Sequence, residues 1–306
     1  MANFVWVKGI KMENNDLTGP SQPAMLIDIQ KVFSDKNPAL ARVIPGFLIR
    51  YLKRIIHQDE INAFLQQHGH LMGLDFVDEA VNMFRPRVTL RGLSNINANG
   101  RYIVASNHPL GGLDGIVLMQ AIGKVHPHIQ FPVNDILLNI KNLQPLFVPI
   151  NKHGSNAENI RILNETFESE AIVCYFPFGL VSRKRKGIIR DLDWKKTFIS
   201  KAIRYKRDVV PTHISGRNSD FFYRLANFRK FLGIKANIEM LYLVDEFFKQ
   251  MDQDICITFG KPIPWHYFDK RFNESQWAEK LRGFVYYLAK HPEAEFEAEK
   301  DYFSMI

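Results

Sequence analysis

Between Pro38 and His57 the apolar residues Leu40, Val43, Ile44, Phe47, Leu48, Tyr51, Leu52, Ile55 and Ile56 fall on one stripe of a 3.6-residue helix. Arg42, Arg50, Lys53 and Arg54 occupy positions between them, so the predicted helix is amphipathic and basic. Pro45 lies early in the stripe, where it either kinks the helix or delays its start. Helical patterning continues from about Glu60 to Phe84, broken at His68, Gly69 and His70.

From Val88 the pattern changes to short β-rich runs: VTLRG, YIVASN, IQFPV, LFVPI, AIVCYF, DVVPTHI and DICITFG. Helical patterns over Leu113 to Ile122, Ser155 to Ser169, Trp194 to Tyr205 and Gln276 to Leu288 separate them. This alternation predicts an α/β fold, and the continuous apolar runs predict a central, mostly buried mixed sheet flanked by helices. The expected organisation is a flexible leader over 1–24, an N-terminal helical segment over 25–86, an α/β domain over 87–270, and a C-terminal helix with a solvated acidic tail over 271–306.

Composition narrows the function classes. With 306 residues, 46% hydrophobic and 24% charged, the chain can bury a sizeable core without disulfides or metal. The 40 Lys+Arg against 32 Asp+Glu leave a formal +8, which favours acidic partners such as nucleic acid, anionic lipid or phosphorylated small molecules. Cys174 and Cys256, each inside an apolar strand-like run, read as buried free thiols of a reducing compartment. No apolar stretch approaches the roughly 20 residues that span a bilayer, and no secretory leader is visible, so a cytoplasmic chain is expected.

The strongest local signal is YIVASNHPLGGLDGIVLMQAI, a strand running into Asn107 and His108, a turn carrying Gly111 and Gly112, then an apolar helix opening near Leu113. Asp114, in the first helical turn, can fold back to bond the His108 imidazole, fixing its tautomer and stabilising the imidazolium. Backbone N–H groups at the helix start could hold an anion or a developing oxyanion. Taken alone, a strand-end histidine and a helix-capping aspartate fit the same block equally well.

Three later segments add weight. FVPINKHG (Phe147 to Gly154), YFPFGLVSRKRKG (Tyr175 to Gly187) and VVPTHISG (Val209 to Gly216) follow in order, and with the first block they resemble the four motifs of the glycerolipid, lysophosphatidate acyltransferase-like superfamily. The resemblance implies an acyltransferase with His108 and Asp114 as its catalytic pair. It implies substrate-binding roles for Asn107, Gly111 and Gly112 of the first block, Asn151 and Lys152 of the second, Phe176, Pro177, Phe178, Gly179, Ser182, Arg183 and Lys184 of the third, and Pro211 of the fourth.

The departures are informative. His108 and Asp114 stand one residue further apart than is usual, which resembles the hemolysin-like or aminolipid-forming branch. Where that superfamily's third motif usually reads FPEGTRS, Phe178 replaces the glutamate and Val181 the arginine, while Arg183 and Lys184 keep a cationic end. The expected acceptor is therefore acidic: an amino acid, or a lyso-aminolipid whose carboxylate or phosphate meets Arg183. The donor implied is a thioester of acyl carrier protein or coenzyme A, with no further cofactor and no metal.

Read without the resemblance, Ser182 to Gly187 is a solvated charged turn, or a nucleic-acid patch with no accompanying nucleic-acid fold; nucleic acid is not expected as a partner. The run SDFFYRLANFRKFLGIKANIEML interleaves Phe221, Phe222, Phe228 and Phe231 with Arg224, Arg229, Lys230 and Lys235. Such a helix lies in a lipid headgroup layer or faces the core. The first alternative places the protein peripherally on the anionic inner face of the cell membrane. A non-catalytic, hemolysin-like lipid-binding protein with the same fold is the rival to an enzyme.

Overall fold

The computed structural model describes residues 27–36, 44–134, 137–150 and 156–306. The expected leader and the start of the first amphipathic stripe lie outside them. Among the described residues four helices come first: α1 (Ile29–Lys36), α2 (Gly46–Ile55), α3 (Gln58–His68) and α4 (Gly73–Phe84). α2 begins directly after Pro45, whose φ of −61° suits the edge of a helix and whose missing N–H costs nothing there. His57, at φ 50°, separates α2 from α3, and Gly73, at φ 60°, turns the chain into α4.

The strands β1 (Arg87–Arg91), β2 (Tyr102–Ser106), β3 (Ile129–Val133), β4 (Phe147–Pro149), β5 (Ile172–Tyr175), β8 (Asp208–Ile214) and β9 (Asp254–Phe259) form a seven-stranded sheet in the order β1-β9-β8-β2-β5-β3-β4. Every neighbouring pair is parallel except β8 with β9, so the sheet is mixed as expected. Helices α5 (Leu113–Gly123), α6 (Asn156–Glu168), α7 (Thr197–Tyr205) and, after α8 (Asp220–Phe231) and α9 (Leu243–Phe248), α10 (Glu274–Leu288) cover it. Both faces are buried, which accounts for the continuous apolar runs. Val104, Ile172, Cys174 and Val210 pack towards α4 and α5, whereas Ile103, Ala105, Val173 and Val209 pack towards α7 and α10.

Three parallel neighbours, β8, β2 and β5, end on the same edge, and a motif segment runs through or out of the end of each. Pro211 lies buried within β8. It has no N–H to give, and β9 departs from the ladder beside it: pairing covers Thr212 to Ile214, Gly260 N–H donates to the Pro211 carbonyl at 2.8 Å, and a single bridge joins Val209 to Ile263.

Two features differ from the sequence-based expectation. The charged run after Val181 is an antiparallel hairpin, β6 (Arg183–Arg185) with β7 (Ile188–Arg190), rather than a simple solvated turn. Lys186 and Gly187, both at positive φ (49° and 82°), supply its two-residue turn. The acidic C-terminal stretch is no solvated tail, because Ala298 and Tyr302 are buried in the core beneath α10 and the Tyr302 hydroxyl accepts from Glu297 N–H at 2.8 Å.

Arg207 ties the layers together. Fully buried, its guanidinium donates to the carbonyls of Phe167 (2.7 Å), Ala171 (2.7 Å) and Ser169, joining the end of α6 and the turn into β5 to the start of β8. Burial, with the nearby Arg101 charge, lowers its pKa to about 10. Leaving a buried carbonyl unpaired costs roughly 1–3 kcal/mol. Arg207→Ala is therefore expected to lose about 3 kcal/mol or more in urea denaturation; a loss below about 0.5 kcal/mol, the size of an ordinary surface substitution, would contradict this role.

Candidate active site

The site grows from the end of β2. Asn107, 2% exposed, uses its side-chain amide as a strand partner: Nδ2 donates to the Ile214 carbonyl at 2.8 Å, and Oδ1 accepts from Ile214 N–H at 2.7 Å. This pins the end of β2 to the end of β8 and fixes the backbone from which His108 projects.

The chain then loops back through Gly111, at φ 80°, into α5. His108 Nδ1 lies 2.9 Å from Asp114 Oδ2, and Asp114 has no exposed surface. The amides of Leu110 (2.8 Å) and Gly111 (3.3 Å) donate to the same oxygen, while those of Gly112 (3.0 Å) and Gly115 (3.0 Å) donate to Oδ1. The helix-start amides expected to hold an oxyanion are thus committed to the Asp114 carboxylate. An ionised carboxylate only accepts, so Nδ1 carries the proton and Nε2 is the basic nitrogen of the neutral ring.

Burial disfavours the charged form of His108. The charge of Asp114, its hydrogen bond and the charge of Asp191 outweigh burial, and the imidazole pKa is raised above its ordinary 6.5. Burial likewise opposes ionisation of Asp114, but the His108 charge and hydrogen bond, with the Leu110 and Gly111 amides, hold its carboxyl below the usual range.

The third motif wraps around the histidine. The Phe176 ring stacks on the imidazole, with centroids 4.2 Å apart and 18° between the planes. Pro177 is buried, and Gly179, at φ 70°, closes a turn by donating to the Phe176 carbonyl at 2.9 Å. Phe178, at the glutamate position of the related motif, packs against the core shared with α7 and α10. Val181 lies against Gly111, where an added Cβ would come within 2.6 Å of its methyl group. A Cβ on Gly112 would meet Phe247 at 2.8 Å. Ser182 N–H donates to the His108 carbonyl at 2.8 Å.

Asp191, which sequence reasoning missed, completes the clamp. It is fully buried and accepts from Ser182 Oγ (2.6 Å), His108 N–H (3.3 Å) and Trp194 Nε1 (2.9 Å). Burial pushes its pKa up, against those hydrogen bonds and the His108 charge. The sequence offered little signal, because Asp191 stands between Arg190 and Asp193 in the mixed run IIRDLDW.

The remaining candidates separate. Asn151 and Lys152 lie outside the described residues. Lys184 pairs with Asp220 at 3.0 Å on the surface. Arg183 turns inward, its Nη2 3.2 Å from Glu239, a fully buried carboxylate that also pairs with Arg229 at 2.5 Å.

An acyltransferase family profile matches residues 31–295. A lyso-glycine lipid O-acyltransferase of Bacteroides thetaiotaomicron is 48% identical over 265 residues, covering 86% of this chain and 97% of that protein. A protein of the same description from Phocaeicola vulgatus is 44% identical over 279 residues, covering 90% and 100%. The solved 1-acyl-sn-glycerophosphate acyltransferase of Thermotoga maritima gives a TM-score of 0.47 at 17% identity, over 71% of this chain and 78% of its own.

The geometry predicts the titration of the site. The His108 imidazole is expected to titrate above the ordinary histidine value by NMR. Asp114→Asn, which leaves burial but removes the charge that opposes it, should bring that value below the ordinary one. An unchanged titration in Asp114→Asn would show that the carboxylate does not govern the ring.

Proposed function

From the premise that this chain belongs to the acyltransferase family, we propose that it esterifies the hydroxyl of a lyso-aminolipid, using a fatty acyl thioester of acyl carrier protein or coenzyme A. The family and the curated relatives make it an acyltransferase, which sets aside the non-catalytic rival. The observation that carries the reading is the His108–Asp114 pair at 2.9 Å, with the ring nitrogen opposite Asp114 left as a base. The relatives' names describe transfer to oxygen on a lyso-glycine lipid. They favour a hydroxyl over an amine.

In the proposed reaction His108 Nε2 takes the acceptor's hydroxyl proton as that oxygen attacks the thioester carbonyl carbon. Asp114 stays ionised and stabilises the imidazolium. The tetrahedral adduct collapses with cleavage of the C–S bond, and the leaving sulfur recovers the proton from Nε2. An ester and a free thiol result, and the base is regenerated. Phe176, stacked on the ring, and Ser182 and Asp191, bonded to the His108 backbone, hold the imidazole in place through these changes of charge.

The proposed lipid acceptor resides in membrane, and no helix among the described residues is long and apolar enough to cross one. The proposed contact is a face shared by α2 and α8 (Asp220–Phe231). Tyr51 on α2 hydrogen-bonds Tyr242 at 2.8 Å, and Phe221 on α8 packs edge-on against Tyr242 at 4.9 Å. Phe47 (67% exposed) and Phe231 (85% exposed) stand out on this pair of helices, with Phe228, Leu232 and Ile234 also exposed. Arg50, Arg54, Arg224, Lys230 and Lys235 are exposed on the same two segments. Apolar rings beside cations suit the anionic inner leaflet.

His108→Ala is expected to lower acyl transfer by about 10²–10⁴ with an unaltered circular-dichroism spectrum, the usual contribution of a general base. Full activity in a folded His108→Ala protein would remove the catalytic assignment. Binding to anionic vesicles should weaken with salt, and Phe47→Ser combined with Phe231→Ser should release the protein from them. Equal sedimentation of this variant and the wild type would place the membrane contact elsewhere.

A further inference from the structure

Beside the base lies a buried polar cluster that the fold does not complete. Asn218 is 1% exposed, yet neither its side-chain N–H₂ nor its carbonyl oxygen has a protein partner. Both atoms being free, the assignment of nitrogen and oxygen does not affect this. Its backbone N–H donates to Tyr223 Oη at 3.1 Å, and Tyr223 is likewise 1% exposed. Arg183 Nη1 is also buried without a partner, on a guanidinium that lies over the Phe222 ring, 5.8 Å from its centroid. Val181, Phe222 and Tyr223 form one packed cluster, which joins these groups.

Charge points the same way. Arg183 and Arg229 share one buried carboxylate, Glu239, so the triad keeps an excess of one positive charge. Glu246, the other buried carboxylate near Tyr223, is occupied by Lys249 at 2.8 Å and by Ser219. Burying an uncompensated cation and unsatisfied amide atoms is costly, and native proteins keep such groups where an outside partner completes them.

Chain neighbours of the cluster touch the His108 turn at two points. Ser182, next to Arg183, donates to the His108 carbonyl at 2.8 Å. Two residues before Asn218 stands Gly216, where an added Cβ would meet Leu110 at 2.8 Å.

We propose that Arg183, Asn218 and Tyr223 form the headgroup subsite of the acceptor, built for an N-acylated amino acid. This rests on the lyso-aminolipid reading above. The carboxylate of such a headgroup accepts from Arg183 Nη1, Asn218 Nδ2 and the Tyr223 hydroxyl. Its amide N–H donates to Asn218 Oδ1, the cluster's acceptor without a protein partner. A phosphate headgroup satisfies the donors and leaves that oxygen unpaired, so the subsite distinguishes aminolipids from lysophosphatidate. α8 carries Tyr223 on its inner side and exposed aromatics on its outer side, so one helix joins the subsite to the proposed lipid contact.

The test compares acceptors and variants in one assay. An N-acyl amino acid bearing a chain hydroxyl, its carboxyl methyl ester, its N-methylated amide and lysophosphatidate are offered with one acyl donor. The wild type should show a KM at least about tenfold lower for the free acid than for the ester, the fold-change of one hydrogen bond to a charged group. The N-methyl compound should also bind more weakly. Asn218→Asp supplies a carboxylate from within the protein and should erase the preference for acid over ester, raising KM far more than it lowers kcat. Tyr223→Phe should narrow the same preference. No transfer by the wild type to any acceptor would overturn the functional reading together with the subsite. Transfer to acid and ester with equal KM, or variants that retain the wild-type preference, would overturn the subsite alone. The wild-type comparison decides even if a variant fails to fold.

Discussion

Everything at the site depends on keeping one carboxylate ionised with no contact with water. Removing a charge from solvent carries a penalty of several kcal/mol unless hydrogen bonds replace the lost hydration. Asp114 receives them from four amides of the turn it closes and from the imidazole it orients. The geometry of residues 108–115 follows from that requirement. The loop must return tightly enough to aim three successive amides inward, and Gly111 reaches the positive φ this needs. The same constraint leaves those amides committed to Asp114 and unable to bind an outside anion.

A second constraint comes from the sheet. Because β8, β2 and β5 are parallel neighbours, their chain ends emerge together, and segments distant in sequence converge on His108. Asn107 locks the edge to β8, Phe176 arrives from β5, and Ser182 with Asp191 holds the histidine's backbone. Each contact is short and well buried. The imidazole is thereby fixed on the ring face by Phe176, at Nδ1 by Asp114, and at its backbone carbonyl and N–H, leaving Nε2 available.

Local patterning was enough for most of the architecture. All seven strands of the main sheet were visible as β-rich runs, and β2, β5 and β8, covered on both faces, were apolar at successive positions; Pro45 and Gly69 marked helix ends through intrinsic backbone preference. The His108–Asp114 pairing was legible because both partners lie in one turn. What local patterning could not show was tertiary in origin. Asp191 is meaningful only through Ser182, Trp194 and the His108 backbone. Arg183 is polar in a charged run, and only the arrival of Glu239 from a distant segment turns it inward. The β6–β7 hairpin pairs residues whose side chains carry no apolar alternation, and the acidic C-terminal stretch hides two residues, Ala298 and Tyr302, beneath α10.

The order of the strands also governs when a newly made chain acquires its chemistry. The amide pair that secures the histidine's backbone joins residues 107 positions apart, and β1 finds its partner β9 a further distance on, 167 positions along the chain. Contacts of such separation close late and slowly, because each must first overcome the entropy of a long loop. A partly synthesised polypeptide therefore holds the His108 turn without the strands that frame it. The surroundings of His108 are complete only once most of the chain has been made and folded.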